Sequence, residues 1–402
     1  MRNDSKSFIS MLLMLAFLLA LIYAARCFPV FDAKPKEEEP EGPLLSELDE
    51  EALLASYEEA EKSLLLWYTD VTMEPFFQKA VLDYYRETGL AVQMEERDPL
   101  LFLEQVYDAS IAEEGEAPDL YFTGGDVLEE ACLMGIAAEQ EDSSEMPPDI
   151  AETARDAALL RGQAFGYPIC FDTPVFVYLT EAFPEEPESL EAILDYAAEV
   201  GLKIEVGNIL EWDLADEFYD LAFLGDCYTF SDEKTGSLLV DTDEAILAKK
   251  MDFLRRLSET ITLDAGTISE GTVVSRLNHQ AAASIIMDSD DLSRITVPYG
   301  VLPLIPLTDS LSMRGCAVTD MLFVNALSSE SDEAAAFADF CMWEETEAVH
   351  ELTPHYSVSG KANQDGEAQI VFEAYEKAAP LPHSMDSEDF LKTLRTEIIK
   401  LF

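Results

Sequence analysis

The chain has few basic residues: 25 Lys and Arg stand against 81 Asp and Glu in 402 residues, a formal net charge of −56. Residues 1–36 hold five basic and two acidic residues, so the balance from residue 37 onward is 20 minus 79, or −59. A charge of this sign and size repels nucleic acid and anionic membrane surfaces, and nucleic acid is therefore excluded as a partner. The acids are spread through the predicted helices, which is typical of a solvated surface.

Cysteine is also scarce, and its spacing excludes redox and zinc motifs of the CxxC type. No two of the six cysteines are close in sequence, and several lie in apolar runs, such as Ile169-Cys170-Phe171 and Phe340-Cys341-Met342. This pattern predicts buried free thiols rather than disulfides, even for an exported protein.

Histidine-based and loop-based metal motifs are incomplete. His350 and His355 are five residues apart with Pro354 between them, so they leave one helical face and a structural or surface role is predicted. Lys361 and Phe372 stand where a calcium loop needs its first and twelfth ligands, which excludes an EF-hand. The run Asp288-Ser289-Asp290-Asp291 could hold a metal weakly, but a capped turn is favoured. We therefore expect neither a metal nor a cofactor.

Enzyme signatures are missing as well. The chain has no G-x-S-x-G motif and no phosphate loop. Paired carboxylates could serve a glycosidase, but with 81 acids almost any pair arises by chance. An acidic extracellular hydrolase is the least favoured hypothesis, and we predict a protein that is not an enzyme.

One long hydrophobic run is present, Phe8–Ala25, and Arg2 and Lys6 precede it. Residues 1–26 are predicted to be a signal anchor with the N-terminus in the cytoplasm; a cleaved signal peptide and a buried helix are the alternatives. Either export hypothesis places the rest outside the cell, anchored to the membrane or secreted. Residues 27–62 follow as an acidic linker rich in Pro and Glu, with a short acidic helix as the alternative for Leu44–Lys62.

The stretch Ser63–Asp126 organises the globular part. An apolar run over Ser63–Tyr68 predicts a buried strand, and an amphipathic helix ending at Gly89 follows it. A second strand, a second helix and the apolar run Asp119–Phe122 complete two strand–helix units, which favour a parallel sheet. Ligands of such sheets bind beyond the carboxyl ends of the strands, so a cleft is expected there.

Further strands are predicted over 165–171, 175–179, 204–206, 281–287, 301–305 and 316–324. Helices are predicted over 149–161, 189–198, 214–224, 242–258, 331–342 and 387–399. The segment Gly225–Leu238 shows no apolar period and is predicted to be a loop.

The order of these segments resembles the extracellular solute-binding proteins of the maltose-binding type, the receptors that deliver ligands to ABC importers. The resemblance rests on the exported start, on the late Pro298–Pro303, and on Leu64-Leu65-Leu66-Trp67, Pro118–Phe122 and Gly166-Tyr167-Pro168-Ile169. It implies an α/β, two-lobe periplasmic-binding-protein-like fold of type II, with a ligand cleft between lobes joined by crossing hinge strands.

The resemblance also implies a division of the chain. The N-lobe would comprise 63–170 and 300–345, and the C-lobe 171–299 and 346–402. The chain would cross between them near Ile169–Thr173, near Thr296–Gly300 and near Trp343–His350.

Site residues follow from the resemblance position by position. The loops after two strands of the first lobe give Tyr68, Thr69 and Asp70, and Thr123, Gly124 and Asp126. Asp172 falls in the first crossing, where the family has a glutamate. Glu211 and Trp212 resemble an acid and ring of the second lobe, while Asp288 and Asp290 stand where sugar binders often place Gly and Trp.

The predicted cleft therefore keeps its acids and loses most of its rings, since Leu391 and Lys392 also replace stacking rings in the last helix. Aromatic rings supply most of the area that a neutral sugar can bury. Trp212, Tyr68 and Tyr121 remain as ring candidates, although Trp67 and Tyr121 are as well explained as core residues.

We predict a monomeric receptor for a small polar solute, with a carbohydrate as the favoured class and an ABC transporter permease and the membrane as partners. A polyol or a cationic solute also fits the acids. The alternative is a surface interaction or sensor protein on the same fold with a degenerate cleft.

Overall fold

The computed structural model describes residues 50–60, 62–112, 116–140, 146–183, 185–199, 201–202, 206–232, 238–261, 263, 270–382 and 387–402. The predicted anchor over 1–26 and most of the linker over 27–62 lie outside these ranges. Across the described ranges, no helix combines the length and the hydropathy that crossing a membrane would require.

Fifteen strands are found in the described residues: β1 Ser63–Tyr68, β2 Ala91–Glu96, β3 Leu120–Gly124, β4 Leu159–Leu160, β5 Gln163–Ala164, β6 Gly166–Asp172, β7 Pro174–Leu179, β8 Asn208–Glu211, β9 Tyr228–Asp232, β10 Leu238–Thr242, β11 Ala282–Asp288, β12 Tyr299–Pro303, β13 Cys316–Val324, β14 Tyr356–Ser357 and β15 Ala379–Pro380.

The α-helices of the same residues are α1 Glu50–Glu58, α2 Glu74–Thr88, α3 Phe102–Ile111, α4 Leu128–Met134, α5 Glu152–Ala157, α6 Leu190–Glu199, α7 Glu217–Leu224, α8 Glu244–Ser258, α9 Glu270–Asn278, α10 Ser331–Phe340, α11 Val349–Leu352, α12 Gly366–Lys377 and α13 Ser387–Ile399.

The first sheet has the order β14-β6-β13-β3-β1-β2, with β15 paired to β13. Its first three strands in sequence are parallel, as the strand–helix alternation predicted. The connecting helix α2 ends at Gly89, whose φ of 76° is left-handed, a conformation that glycine adopts without a steric penalty. Strand β13 runs antiparallel to both β3 and β6 and closes the sheet over a buried core.

The second sheet has the order β12-β7-β11-β8. All six residues of β7 are buried, because this strand lies between β11 and β12 and is covered on both faces. Its continuous apolar sequence is typical of such a central strand. The two larger sheets and their flanking helices form the mixed α/β architecture that the sequence predicted.

A single residue links the two sheets at the first crossing. Strand β6 ends at Asp172 in the first sheet and β7 begins at Pro174 in the second, so Thr173 alone lies between them. The backbone N–H of Thr173 donates to Ser289 Oγ at 3.1 Å, and the N–H of Ser289 donates to the Thr173 carbonyl at 3.1 Å. The chain therefore passes from the first sheet to the second at Thr173, within the expected segment Ile169–Thr173.

The other two crossings differ from those expected. Strand β12 is hydrogen-bonded to β7 and still belongs to the second sheet, so the return occurs between Pro303 and Cys316. Strand β14 pairs with β6 and β15 with β13, which places both in the first sheet, and α13 packs against α7. The strands β12 and β14 thus belong to other sheets than the expected boundaries at 300 and 346 imply. The reason is that hydrogen bonds to partners distant in sequence decide which sheet a strand joins.

A second difference concerns the predicted loop Gly225–Leu238. The described part of this segment forms an antiparallel hairpin of β9 and β10. Tyr228 and Phe230 on β9 pack edge-on against Phe390, at ring-centroid distances of 5.0 and 5.6 Å. Two of the three residues of the strand predicted over 204–206 lie outside the described residues, and β8 begins shortly afterwards, at Asn208.

The five described cysteines, all except Cys27, are free thiols, as predicted. Four of the five are buried and Cys132 is half-buried. Burial raises the pKa of the Cys132 thiol to about 12, so this side chain stays protonated at neutral pH.

Gly225 provides a test of a close approach between the end of α7 and the segment that returns from β12 to the first sheet. A Cβ atom at this position would lie 2.3 Å from the backbone carbonyl oxygen of Arg314. Because a backbone oxygen cannot rotate away, we expect Gly225→Ala to lower the free energy of unfolding by roughly 1–3 kcal/mol. Urea unfolding followed by circular dichroism measures this. Gly135→Ala is no control because its φ of 74° adds strain, whereas Ala281→Gly changes backbone freedom without a clash. An unchanged midpoint for Gly225→Ala would show that the two segments separate freely.

Candidate ligand-binding site

Acidic side chains from several strands of the first lobe gather where these strands end. Asp70 follows β1, Asp126 follows β3, Asp172 ends β6, and Asp320 lies on β13. The charges of Asp172, Asp126 and Asp70 all act on Asp320, so the four carboxylates are neighbours. The carboxyl edge of the first sheet therefore carries a cluster of acids, and Asp70, Asp126 and Asp172 are among the predicted site residues.

One imidazole, that of His355, lies within this group of carboxylates. The residue is only 4% exposed, and it immediately precedes β14. Its Nε2 lies 2.7 Å from Asp70 Oδ2 and 2.7 Å from Thr72 Oγ1. Burial acts to lower the pKa of His355, but Asp172 and Asp70 outweigh it and raise the pKa to about 11. His355 is therefore a buried positive charge at neutral pH.

The pKa values of Asp70 and Asp320 are shifted in opposite directions. Burial acts to raise the pKa of Asp70, yet hydrogen bonds from His355 and Thr72 hold it below its usual value. Burial raises the pKa of Asp320 well above its usual value, and the neighbouring Asp172 adds to the effect. The Cys170 thiol donates to Asp320 Oδ2 at 3.7 Å. One acid of the group is thus charged and another favours the protonated form.

The second lobe contributes the turn after β11. Asp288 ends that strand, and a 3₁₀ turn over Asp290–Arg294 follows. Asp291 is bound by Arg294 at 2.6 Å, which is the capped turn that the sequence favoured. Asp290 comes within 4.8 Å of ligand atoms of Asp172 and His355. Residues of both lobes therefore meet beside the Thr173 crossing.

A second polar contact joins the lobes through Glu367 of α12. Its Oε2 accepts from the Tyr299 hydroxyl of β12 at 2.5 Å, and its Oε1 accepts from the Tyr356 hydroxyl of β14 at 3.1 Å. Burial and the Glu367 carboxylate raise the pKa of Tyr299, so its proton stays on the phenol. Glu367 thus holds one strand of each sheet.

The structure corrects the expected acid and ring of the second lobe. Glu211 is fully buried and receives two hydrogen bonds of 2.6 Å from Arg276. Trp212 is also fully buried, against Phe223 and Phe402 at centroid distances of 4.6 and 5.3 Å. A paired acid and an enclosed ring offer no surface to a solute, because both side chains already have their partners.

The ring candidates of the first lobe are core residues too. Tyr68 is 4% exposed and packs against Phe77, and Tyr121 is fully buried and stacked on Phe323. Trp67 is 3% exposed, with the Arg97 guanidinium 3.7 Å from its ring centre. All three rings are therefore core residues. This corrects the prediction of Tyr68 as a ligand-binding residue.

The predicted site residues that remain accessible in part are Thr69, Asp70, Thr123, Gly124, Asp126, Asp172, Asp288 and Asp290. A Cβ at Gly124 would lie 2.4 Å from Asp126 Oδ1, so a side chain there would displace this carboxylate. Sequence analysis missed His355, Asp320 and Glu367. His355 and Thr72 are 283 residues apart, and only the rarity of histidine, four in 402 residues, marks it in the sequence.

Comparison with known proteins by sequence finds no match, either to a protein-family model or to a curated protein. Comparison of folds does find matches. The structure resembles an extracellular solute-binding protein of Staphylococcus aureus in complex with maltose, with a TM-score of 0.72 and 15% identity over 85% of this chain and 92% of that one. It also resembles a cyclo/maltodextrin-binding protein complexed with maltotetraose, with a TM-score of 0.67 and 15% identity over 84% of this chain and 96% of that one.

Both of these neighbours are binding proteins, and each is matched over nearly its whole length. The chain therefore has the fold of two-lobe extracellular solute-binding proteins of the maltose-binding type.

Proposed function

We propose that this protein is the extracellular receptor of an ABC importer and that it binds a small polar solute in the cleft between its lobes. The observation that carries the proposal is the meeting of Asp172, from the first lobe, with Asp290, from the second, beside a one-residue crossing. Side chains of both lobes thus border one site, which is the arrangement that hinge closure uses to capture a ligand. The protein acts by binding and carries out no reaction.

A carbohydrate is the favoured solute class. Carboxylate oxygens accept hydrogen bonds from hydroxyl groups, and the fold neighbours hold maltose and maltotetraose. Because Tyr68, Trp212 and Tyr121 lie in the core, the cleft has few rings for stacking. A small sugar or a polyol therefore fits better than a long maltodextrin.

The proposal places the globular part outside the cell. The N-terminal segment holds it to the membrane or is removed on export, and a permease pair receives the solute. The receptor acts as a monomer, since the interlobe cleft needs residues of one chain only.

Thermal unfolding of the full-length protein in detergent tests the proposal with a panel of monosaccharides, disaccharides and polyols. A ligand at 100 times its Kd stabilises the folded state by ~2.7 kcal/mol, which raises Tm by a few degrees in a protein of this size. We expect Asp126→Asn to remove the shift, because an amide replaces an exposed acceptor at the end of β3. Asp252→Asn is the matched control, since Asp252 is an exposed acid of α8 remote from the strand ends.

Two outcomes would change the proposal. A shift that persists in both Asp126→Asn and Asp70→Asn would place the solute elsewhere. No shift with any compound would favour the second candidate, a surface interaction or sensor protein with a degenerate cleft, which the burial of the ring candidates also supports.

A further inference from the structure

Two buried polar atoms beside the crossing face each other without a hydrogen bond. His355 Nδ1 and Asp172 Oδ1 are both inaccessible and have no hydrogen-bond partner. They form an ion pair at 3.7 Å when His355 is protonated, a distance that is too long for a hydrogen bond. Two ligands of a four-coordinate zinc ion, each about 2.1 Å from the metal, are separated by roughly 3.4 Å. The distance between these two atoms is thus close to the distance between two ligand atoms of one zinc ion.

A third donor completes the set from the other lobe. One ligand atom each of Asp172, Asp290 and His355 lies within 4.8 Å of the other two. The two carboxylates carry two negative charges, which a divalent cation balances. One imidazole nitrogen and two carboxylate oxygens with an open position are a donor set of the kind that zinc accepts.

The far side of the imidazole is arranged as in metal-binding histidines. Nε2 donates to Asp70 Oδ2 at 2.7 Å, and Asp70 Oδ1 is in turn held by the Thr72 hydroxyl at 2.7 Å and the Thr72 N–H at 2.8 Å. A carboxylate on one ring nitrogen fixes the ring and directs the other nitrogen towards the metal. Asp70 is therefore a positioning residue for Nδ1.

A neighbouring set of donors, Cys170, Asp320 and His355, is less suitable. Cys170 is fully buried, and its sulfur already contacts Asp320 Oδ2 at 3.7 Å and Met73 Sδ at 3.9 Å. This set also lies within one lobe, whereas Asp172 and Asp290 bring a donor from each.

The geometry points to a binding site for a divalent transition-metal ion of the zinc type, held by His355 Nδ1, Asp172 and Asp290 and spanning the two lobes. The ion takes the position of a proton on Nδ1, and that proton leaves for the solvent. The site does not depend on the identity of the proposed solute, because its donors are complete without one.

Isothermal titration of the full-length protein, stripped with EDTA, with Zn²⁺ alone tests this inference. We expect one ion per chain, with Ca²⁺ and Mg²⁺ binding far more weakly, since neither favours an imidazole ligand. Asp70→Asn should weaken Zn²⁺ by about 10- to 100-fold, as loss of a carboxylate behind a metal-binding histidine does. Asp290→Asn and His355→Gln remove direct ligands and should weaken it further. His279→Gln is the control, because His279 is exposed in the turn after α9 and its loss should change nothing.

Cobalt gives a second readout that does not rely on affinity. Co²⁺ in the wild-type protein should show visible d–d bands without the intense thiolate charge-transfer band that Cys170 would give. Absence of Zn²⁺ binding, equal binding of Ca²⁺, or an affinity unchanged in Asp290→Asn would each overturn the assignment. Asp290 is half-buried in a turn, so its variant tests the site even if His355→Gln fails to fold. Sugar binding plays no part in these outcomes, so the site and the proposed receptor function fail separately.

Discussion

Replacing Lys250 by Met is expected to lower the free energy of unfolding by about 3 kcal/mol, the low end of the range for breaking a buried ion pair. Lys250 lies on α8 and is fully buried. Its ammonium group donates to the Phe223 carbonyl at 2.9 Å and forms an ion pair with Asp226. Methionine keeps most of the volume, so the loss reports the unpaired carboxylate and the unsatisfied carbonyl. The side chain of Asp226 is 19% exposed, and the partial hydration keeps the cost from being larger.

Urea unfolding measures the effect, and the chain supplies a matched control one residue away. Lys249 is exposed on the same helix, so Lys249→Met should change stability by no more than about 0.5 kcal/mol. The double variant Lys250→Met with Asp226→Asn should recover part of the loss, because removal of both charges is often close to neutral. Equal effects of Lys249→Met and Lys250→Met would mean that the buried pair contributes nothing.

Truncation of Phe171 to Ala is expected to cost about 3–5 kcal/mol, the range for deleting a buried aromatic side chain. Phe171 is fully buried on β6, and its ring stacks on Tyr375 at a centroid distance of 3.7 Å and an interplanar angle of 5°. Tyr356 and Phe372 complete the surroundings at 6.3 Å each. The cavity would open directly beneath Asp172, so solute and metal binding should weaken along with stability.

Two substitutions of different size at Phe171 test whether the loss of stability comes from lost packing. Phe171→Leu keeps an apolar side chain and should cost less than half as much as Phe171→Ala. Trp343→Ala removes a larger ring that is 47% exposed and should change the urea midpoint little. A Phe171→Ala midpoint close to that of Trp343→Ala would show that the core under the crossing repacks.

The local elements could be predicted from sequence because their causes are local. The alternation of apolar runs and amphipathic helices over 63–126 predicted β1, α2 and β3, and Gly89 marked a helix end. The hairpin β9–β10 was missed, since its strands gain stability from Phe390, which is distant in sequence. Lobe membership of β12 and β14 was missed for the same reason, because their partners Val177 and Phe171 lie far away along the chain.

The site residues also differ in whether their causes are local or distant in sequence. Asp70, Asp126 and Asp172 could be predicted because each stands at the end of a recognisable strand. The sequence could not exclude Glu211 and Trp212 as ligand-binding residues. Only the fold shows that Arg276 binds Glu211 and that Phe223 packs against Trp212. His355 follows no strand and lies opposite Asp70 only after β14 pairs with β6, so no spacing in the sequence indicates its role.

In the hinge closure that we propose, Thr173 is expected to act as the pivot between the two sheets. Only one residue separates β6 from β7, whereas residues 304–315 separate β12 from β13. A relative displacement of the sheets must therefore be a rotation about the backbone dihedrals of Thr173, because sliding would break β6 or β7. Atoms next to the pivot, including the carboxylate of Asp172, then move least, and those at the outer rim of each lobe travel furthest.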